Sequence, residues 1–291
     1  MLSLRACQRQ EGPPEIWHGL EISTTPPSSV PTPGVPPKIA PPTSSHTSIP
    51  TSQILDIGCG LGSITTGLAA LVPAGHVTGV EPTSPPLQTA RALAASQGIT
   101  NISFKEGDIH ALPFPDEFFD IVHAHQVVQH ITDPIHGLRE MRRVCKTGGL
   151  VAVRESAGLH CYPESHEMAK WHEIYYKVAR ERGTNPHPGA RIHVWARKAG
   201  FEPEDVKCST GSWCFQTREE REYFKGNSAE RSVRSPLSKI AVEKGYATEE
   251  FFEMMREVWR EWVEDEDGWF AMLHGEILCT KREDGRKSSM N

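Results

Sequence analysis

The chain has 291 residues, 37% of them hydrophobic and 23% charged, which suffices for one large core or for a core with a smaller lobe. Its formal net charge of −6 argues against a surface that tracks phosphates, so nucleic acid is not an expected partner. No apolar run reaches membrane-spanning length and no secretory apolar core follows the start, so no membrane partner is expected either. The seven cysteines (7, 59, 145, 161, 208, 214 and 279) are odd in number and contain no C-x-x-C pair. They read as reduced thiols in a cytoplasmic protein. A mitochondrial location is the alternative, because "MLSLRACQRQ" carries two arginines and no acid precedes Glu11.

Eleven of the 23 prolines fall between Pro13 and Pro50, among serines and threonines, so residues 1–51 read as a disordered or extended tail. From Gln53 strands alternate with helices. "QILDIG" is a short apolar strand. "SITTGLAALV" places Ile64, Leu68, Leu71 and Val72 on one helical face. "HVTGVE" is a second strand, and "SPPLQTARALAASQG" a helix with prolines in its first turn and a glycine at its end. "NISFKEGD" and "FFDIVHAH" are the third and fourth strands. "DPIHGLREMRRVCKTGG" is a helix capped by Asp133 and ended by Gly148–Gly149, followed by a fifth strand, "LVAVRE". Beyond Glu155 two helices ("ESHEMAKWHEIYYKVARERG" and "GARIHVWARKAG") precede a weak strand, "EDVKCSTGSWCFQT". The segment "TEEFFEMMREVWREWVEDED" carries Phe251, Met255, Val258, Trp259 and Trp262 on one stripe, which reads as core. A last strand, "WFAMLHGEILCTK", closes the domain. The domain spans 52–282 with a helical insertion at about 218–266, and 283–291 is a flexible tail.

The stretch "LDIGCGLG" needs a bare backbone where a buried strand hands over to a helix, the place where open α/β sheets bind ligands. Gly58, Gly60 and Gly62 give G-x-G-x-G, and Ser63 stands where the dinucleotide pattern needs Gly or Ala. Asp56, two residues ahead of the turn, suits a cationic amine better than a pyrophosphate. With Glu81 in "TGVEPT" and Asp108 in "EGDIHALPF", this stretch resembles class I S-adenosylmethionine-dependent methyltransferases. The run from "ALPFPDEFF" through "VAVRES" looks like the small-molecule branch related to ubiquinone and menaquinone C-methyltransferases. The resemblance implies an α/β, Rossmann-like, doubly wound, mostly parallel seven-stranded sheet with helices on both faces. It implies that Asp56, Gly58, Cys59, Gly60 and Gly62 face the methionine part of the S-adenosyl-L-methionine cofactor. Glu81 would bind the ribose, Asp108 the adenine amino group, and Ile109 the ring. His125 and Gln126 would line the same pocket. The N-terminal closing helix of that family is not recognisable here.

Methyl transfer asks the protein mainly for alignment, and for a base when a hydroxyl or an acidic carbon attacks. His130 in "HAHQVVQHITDP" occupies the place where similar enzymes carry a catalytic histidine, and it either takes the proton or packs in the site wall. Arg154 and Glu155, after the fifth strand, either orient substrate or form a surface pair. Trp213, Phe215 or Trp269 could lie near a ligand. No metal is expected: Cys161, Cys208 and Cys214 match no ligand spacing, which leaves arsenite or thiol methylation a minor alternative. The expected function is methylation of a small organic acceptor at oxygen or carbon, in natural-product or quinone biosynthesis. A catalytically weak cofactor-binding regulator is the other class of reading.

Overall fold

The computed structural model describes residues 49–222, 224, 233 and 235–283. The expected tails, 1–51 and 283–291, lie outside these residues apart from a short turn at Ile49–Thr51 and residue 283. Seven strands form one sheet: β1 (Gln53–Ile57), β2 (His76–Glu81), β3 (Ile102–Glu106), β4 (Phe119–His125), β5 (Cys145–Tyr162), β6 (Val206–Phe215) and β7 (Trp269–Thr280). Their order is β3-β2-β1-β4-β5-β7-β6. All pairs are parallel except those of β7, which runs against both β5 and β6. The order reverses between β1 and β4, so a crevice opens at their carboxyl ends.

Both sheet faces are covered because successive strand residues alternate sides. On one face, Ile54, Val77 and Ile121 meet Leu68, Ala69 and Val72 of α1 (Ser63–Leu71) and its exit; α2 (Ser84–Ser96) lies beside α1. On the other, Leu55, Val122, Val151 and Val153 meet Leu138 and Met141 of α3 (Pro134–Val144) and Trp195 and Ala196 of α5 (Ile192–Lys198). Asp133 caps α3 by accepting from the His136 amide at 2.9 Å.

Two boundaries differ from the sequence reading. α3 stops at Val144, not at Gly148–Gly149, because Cys145 already pairs with Phe119 of β4 and Gly148 donates to the Lys281 carbonyl at 2.7 Å. β5 continues past Glu155, where the expected strand "LVAVRE" ends, to Tyr162, because β7 pairs with it as far as Trp269.

That long β5–β7–β6 ribbon carries a second core. α4 (His166–Glu181), α7 (Pro236–Glu243) and α8 (Glu249–Glu264) pack Met168, Ile174, Val178, Ala241, Phe252, Met255, Trp259 and Trp262 against Phe215 and Phe270. The stripe on α8 is core, with Val258 at its margin. A short helix, α6 (Arg218–Arg221), supplies a clamp. The buried Arg221 guanidinium donates to the carbonyls of Val263, Asp265, Gly268 and Gln216, fastening the end of α8 to the entry of β7.

Candidate active site

The glycine turn is shaped by two different demands. Gly58 has φ +65, and a Cβ there would stand 2.5 Å from Val127 Cγ2, so its bareness admits the β4 exit. Gly60 has φ +52 and nothing within 4 Å of a built Cβ, so its bareness faces open space. The Gly60 amide donates to Glu81 Oε2 at 3.1 Å. The amides of Gly58 and Cys59 donate to the Val80 carbonyl at 2.8 and 3.1 Å. The end of β2 thus holds the turn, and the half-buried Glu81 stands beside its open glycine. Gly62 abuts Ala90 of α2.

Asp56 does not reach this opening. It is 2% exposed; Oδ2 accepts from Thr65 Oγ1 at 2.7 Å and Oδ1 bonds His123 Nδ1 at 2.7 Å. The expectation that it meets a cofactor amine is corrected: both oxygens tie β1 to α1 and β4 beneath the turn. The Cys59 side chain is also buried, and desolvation pushes its thiol well above the ordinary range, so only its backbone shapes the turn. Asp108 is exposed beyond β3. Its Oδ1 accepts from the His110 amide at 2.9 Å and bonds His110 Nδ1 at 2.8 Å. The amide bond, ahead of the ring, holds its carboxyl below the usual range. Ile109 is buried next to it.

At the β4 exit the chain turns through Gln126, at φ +54, whose amide donates to the Arg154 carbonyl at 2.9 Å. His125, Arg154, Glu276 and Ser209 are in register across β4, β5, β7 and β6, and so share a face. Arg154 is buried and paired with Glu276 at 3.4 Å, and Glu276 Oε2 accepts from Ser209 Oγ at 2.7 Å. Around this pair stand three rings. His125 lies 5.3 Å from Trp213 and 5.7 Å from His274, and Trp213 lies 4.6 Å from His274. Arg154 Nη2 bonds His274 Nδ1 at 3.4 Å, and the Gln126 side chain meets His274 Nε2 at 3.1 Å. A guanidinium only donates, so Nδ1 accepts, Nε2 carries the proton, and the Gln126 amide oxygen belongs toward it. Burial and Arg154 pull His274 down to about 3.

Glu155 points to the other face. It is fully buried; Oε1 accepts from the Val127 and Val128 amides, both at 2.7 Å, while Oε2 meets no partner among the described residues. Desolvation outweighs those amide bonds and pushes its carboxyl up to about 8. Its carboxyl therefore pins the short turn Val128–His130.

A family model described as "Methyltransferase domain" matches residues 50–195. The chain is 35% identical over 244 residues to an uncharacterized methyltransferase of Schizosaccharomyces pombe, covering 80% of this chain and 86% of the relative. The chain belongs to the methyltransferase family. It is also 34% identical over 158 residues to the demethylmenaquinone methyltransferase of Roseiflexus castenholzii, covering 53% of this chain and 63% of that protein. Among solved structures, phosphoethanolamine N-methyltransferase 2 of Haemonchus contortus, in complex with S-adenosylhomocysteine, aligns with a TM-score of 0.50 and 18% identity, over 80% of this chain and 50% of that one.

In this methyltransferase, Gly58, Gly60, Glu81, Asp108, Ile109, His125 and Gln126 gather along the carboxyl ends of β1 to β4. His130 sits exposed at the end of its turn, outside the ring cluster. Arg154 and Glu155 form no surface pair: one is locked to Glu276 and the other pins the β4 exit. Of the aromatic candidates, Trp213 joins the cluster, Phe215 belongs to the second core, and Trp269 stands 37% exposed at the ribbon end. Sequence reasoning missed two residues. His123 reads as one more strand residue, and only its partner Asp56, on another strand, gives it a role. His274 was detectable as a lone imidazole within the apolar run "FAMLHGEIL".

Proposed function

We infer that this methyltransferase uses S-adenosyl-L-methionine to methylate a small organic acceptor at oxygen or carbon, of the kind found in quinone or natural-product biosynthesis. The observation that carries the reading is the pairing of Gly60's open backbone with the adjoining Glu81 carboxylate. Glu81 Oε1 remains to take a ribose hydroxyl, and Asp108, exposed past β3, suits an exocyclic amine. When bound, the cofactor supplies a sulfonium methyl group already activated for displacement. The chain's own part is to align the acceptor, exclude water and receive a proton. His125 and Gln126 at the β4 exit, and His130 beyond them, are the residues placed to do so.

The described cysteines are free thiols, chemistry that suits a reducing, cytoplasmic compartment. Joint capture of arsenic by Cys161, Cys208 and Cys214 finds no support, since six residues along one strand separate Cys208 from Cys214 by ~20 Å. The reading is tested by calorimetric titration with S-adenosylhomocysteine. Micromolar binding to the native chain, weakened in Glu81→Gln, is expected; a chain that ignores the nucleoside overturns it.

A further inference from the structure

The neutral ring cluster at the β4 exit goes beyond methyl transfer in general, because its free valences fit one kind of nucleophile. His125 Nε2 and Trp213 Nε1 are buried polar atoms that meet no hydrogen-bond partner among the described residues. A buried polar atom without a partner is costly, so such atoms mark places where a ligand completes the bonding. Both side chains are half-buried overall, while the two nitrogens themselves are shielded from solvent. Ile57 of β1 is in register with Ala124, which sets His125, the next residue, level with Gly58 and the opening of the turn.

The cluster's electrostatics are those of a neutral, flat acceptor. The Arg154 guanidinium lies over the Trp213 ring, 6.0 Å from its centroid, and its charge is balanced there by Glu276 while it donates to His274. Burial first, then His123, Arg154 and His274, keep the His125 imidazole neutral, well below the ordinary histidine range. Trp213, His125 and His274 present ring faces and edges to one another at 4.6–5.7 Å, an arrangement into which another planar ring packs well.

We propose that this cluster seats the hydroxyl of a planar phenol or enol, with Trp213 Nε1–H donating to the oxygen and His125 Nε2 accepting its proton, so that the enzyme is an O-methyltransferase. The inference rests on the small-molecule reading above. A hydroxyl has one hydrogen and two lone pairs. The hydrogen goes to His125 and one lone pair accepts from Trp213, which leaves the second to attack. A neutral amine has only one lone pair; given to Trp213, it leaves none for the methyl group. As the oxygen lone pair forms the new C–O bond and sulfur keeps the electrons of the old C–S bond, the hydroxyl proton passes to His125 Nε2 and from there to solvent. An imidazole of low basicity suffices, because the O–H becomes strongly acidic once oxygen is alkylated.

The test is binding, independent of turnover. The native chain is saturated with S-adenosylhomocysteine and titrated calorimetrically with 1-naphthol and with 1-methoxynaphthalene, its capped counterpart. 1-Naphthol is expected to bind about tenfold or more tightly than the ether. Trp213→Phe should bring that ratio close to one while leaving S-adenosylhomocysteine affinity in place, and His125→Ala should do the same to the ratio when titrated at saturating S-adenosylhomocysteine, whatever that variant's own affinity for the nucleoside. A ratio near one in the native chain, no binding of 1-naphthol, or a ratio untouched by both variants would overturn the proposal. So would loss of the ratio in His130→Gln with retention in His125→Ala. Failure of S-adenosylhomocysteine to bind the native chain would sink the underlying cofactor reading, and this proposal with it.

Discussion

Residues 53–130 and residues 156–280 solve the same burial problem by opposite means. In the first region β1 and β2 are each followed by a helix that packs on the sheet, and β1 pairs with β2 and β2 with β3. In the second, β5 pairs with β7 from Leu150–Thr280 to Tyr162–Trp269, and α4, α7 and α8 make a core of their own on the far end of the ribbon. The first region makes its glycine turn from neighbours in sequence. The second brings Trp213, Glu276 and His274 to the crevice from distant segments. The glycine turn is therefore local in the chain, and the ring cluster is assembled by long-range pairing.

The largest perturbation separates the two cores. Trp259→Ala should cost about 3–5 kcal/mol, since the ring is 1% exposed at the centre of the second core. Hydrogen exchange should rise across α4, α7 and α8 while the amides of β1, β2 and β4 stay protected. Equal loosening of both would show one cooperative unit and erase the distinction.

Next come the two turn glycines. Gly58→Ala meets both Val127 at 2.5 Å and a φ of +65, and should lower stability by about 2–3 kcal/mol in thermal melts. Gly60→Ala, with open space around it, should cost only ~1–2 kcal/mol while still reducing nucleoside affinity. Similar melts for the two would mean that Val127 yields easily and that Gly58 is not bound to the β4 exit.

The two acids sharpen the contrast further. Glu81→Gln should weaken S-adenosylhomocysteine binding by about 1.5–3 kcal/mol with little change in melting temperature. Asp56→Asn should do the reverse, because both oxygens of Asp56 serve Thr65 and His123. A calorimetric titration beside a melt for each variant decides it.

A separate signal is a slope with pH. Burial raises the Glu155 carboxyl to about 8, above its value of 4.5 in the unfolded chain. The folded form therefore holds a proton that the unfolded form releases, and stability falls as pH rises from 4.5 towards 8. Glu155→Gln can still accept from the Val127 and Val128 amides, and should flatten urea midpoints measured between those pH values.

Much of the first region was legible. The alternation around Leu55, the Asp133-Pro134 cap and the glycines of the turn announce themselves through local pattern, because their partners lie within one βαβ unit. Asp56 was misread for a related reason: an acid before a glycine turn looks like a ligand until a histidine on β4 claims it. The expected strand stopped at Glu155 because the run beyond it pairs with β7, far away in sequence, and so carries no local mark of its register.

By itself, then, the sequence determined the doubly wound class, the position of the glycine turn and the amphipathic stripe of α8, since helix and strand periodicity and turn chemistry are properties of adjacent residues. Only the tertiary structure decided that Asp56 is a buried tie, that Arg154 is neutralised by Glu276, and that His125, Trp213 and His274 meet. Those outcomes depend on which residues of β4, β5, β6 and β7 stand in register, and register across distant strands is set by the packing of the whole sheet.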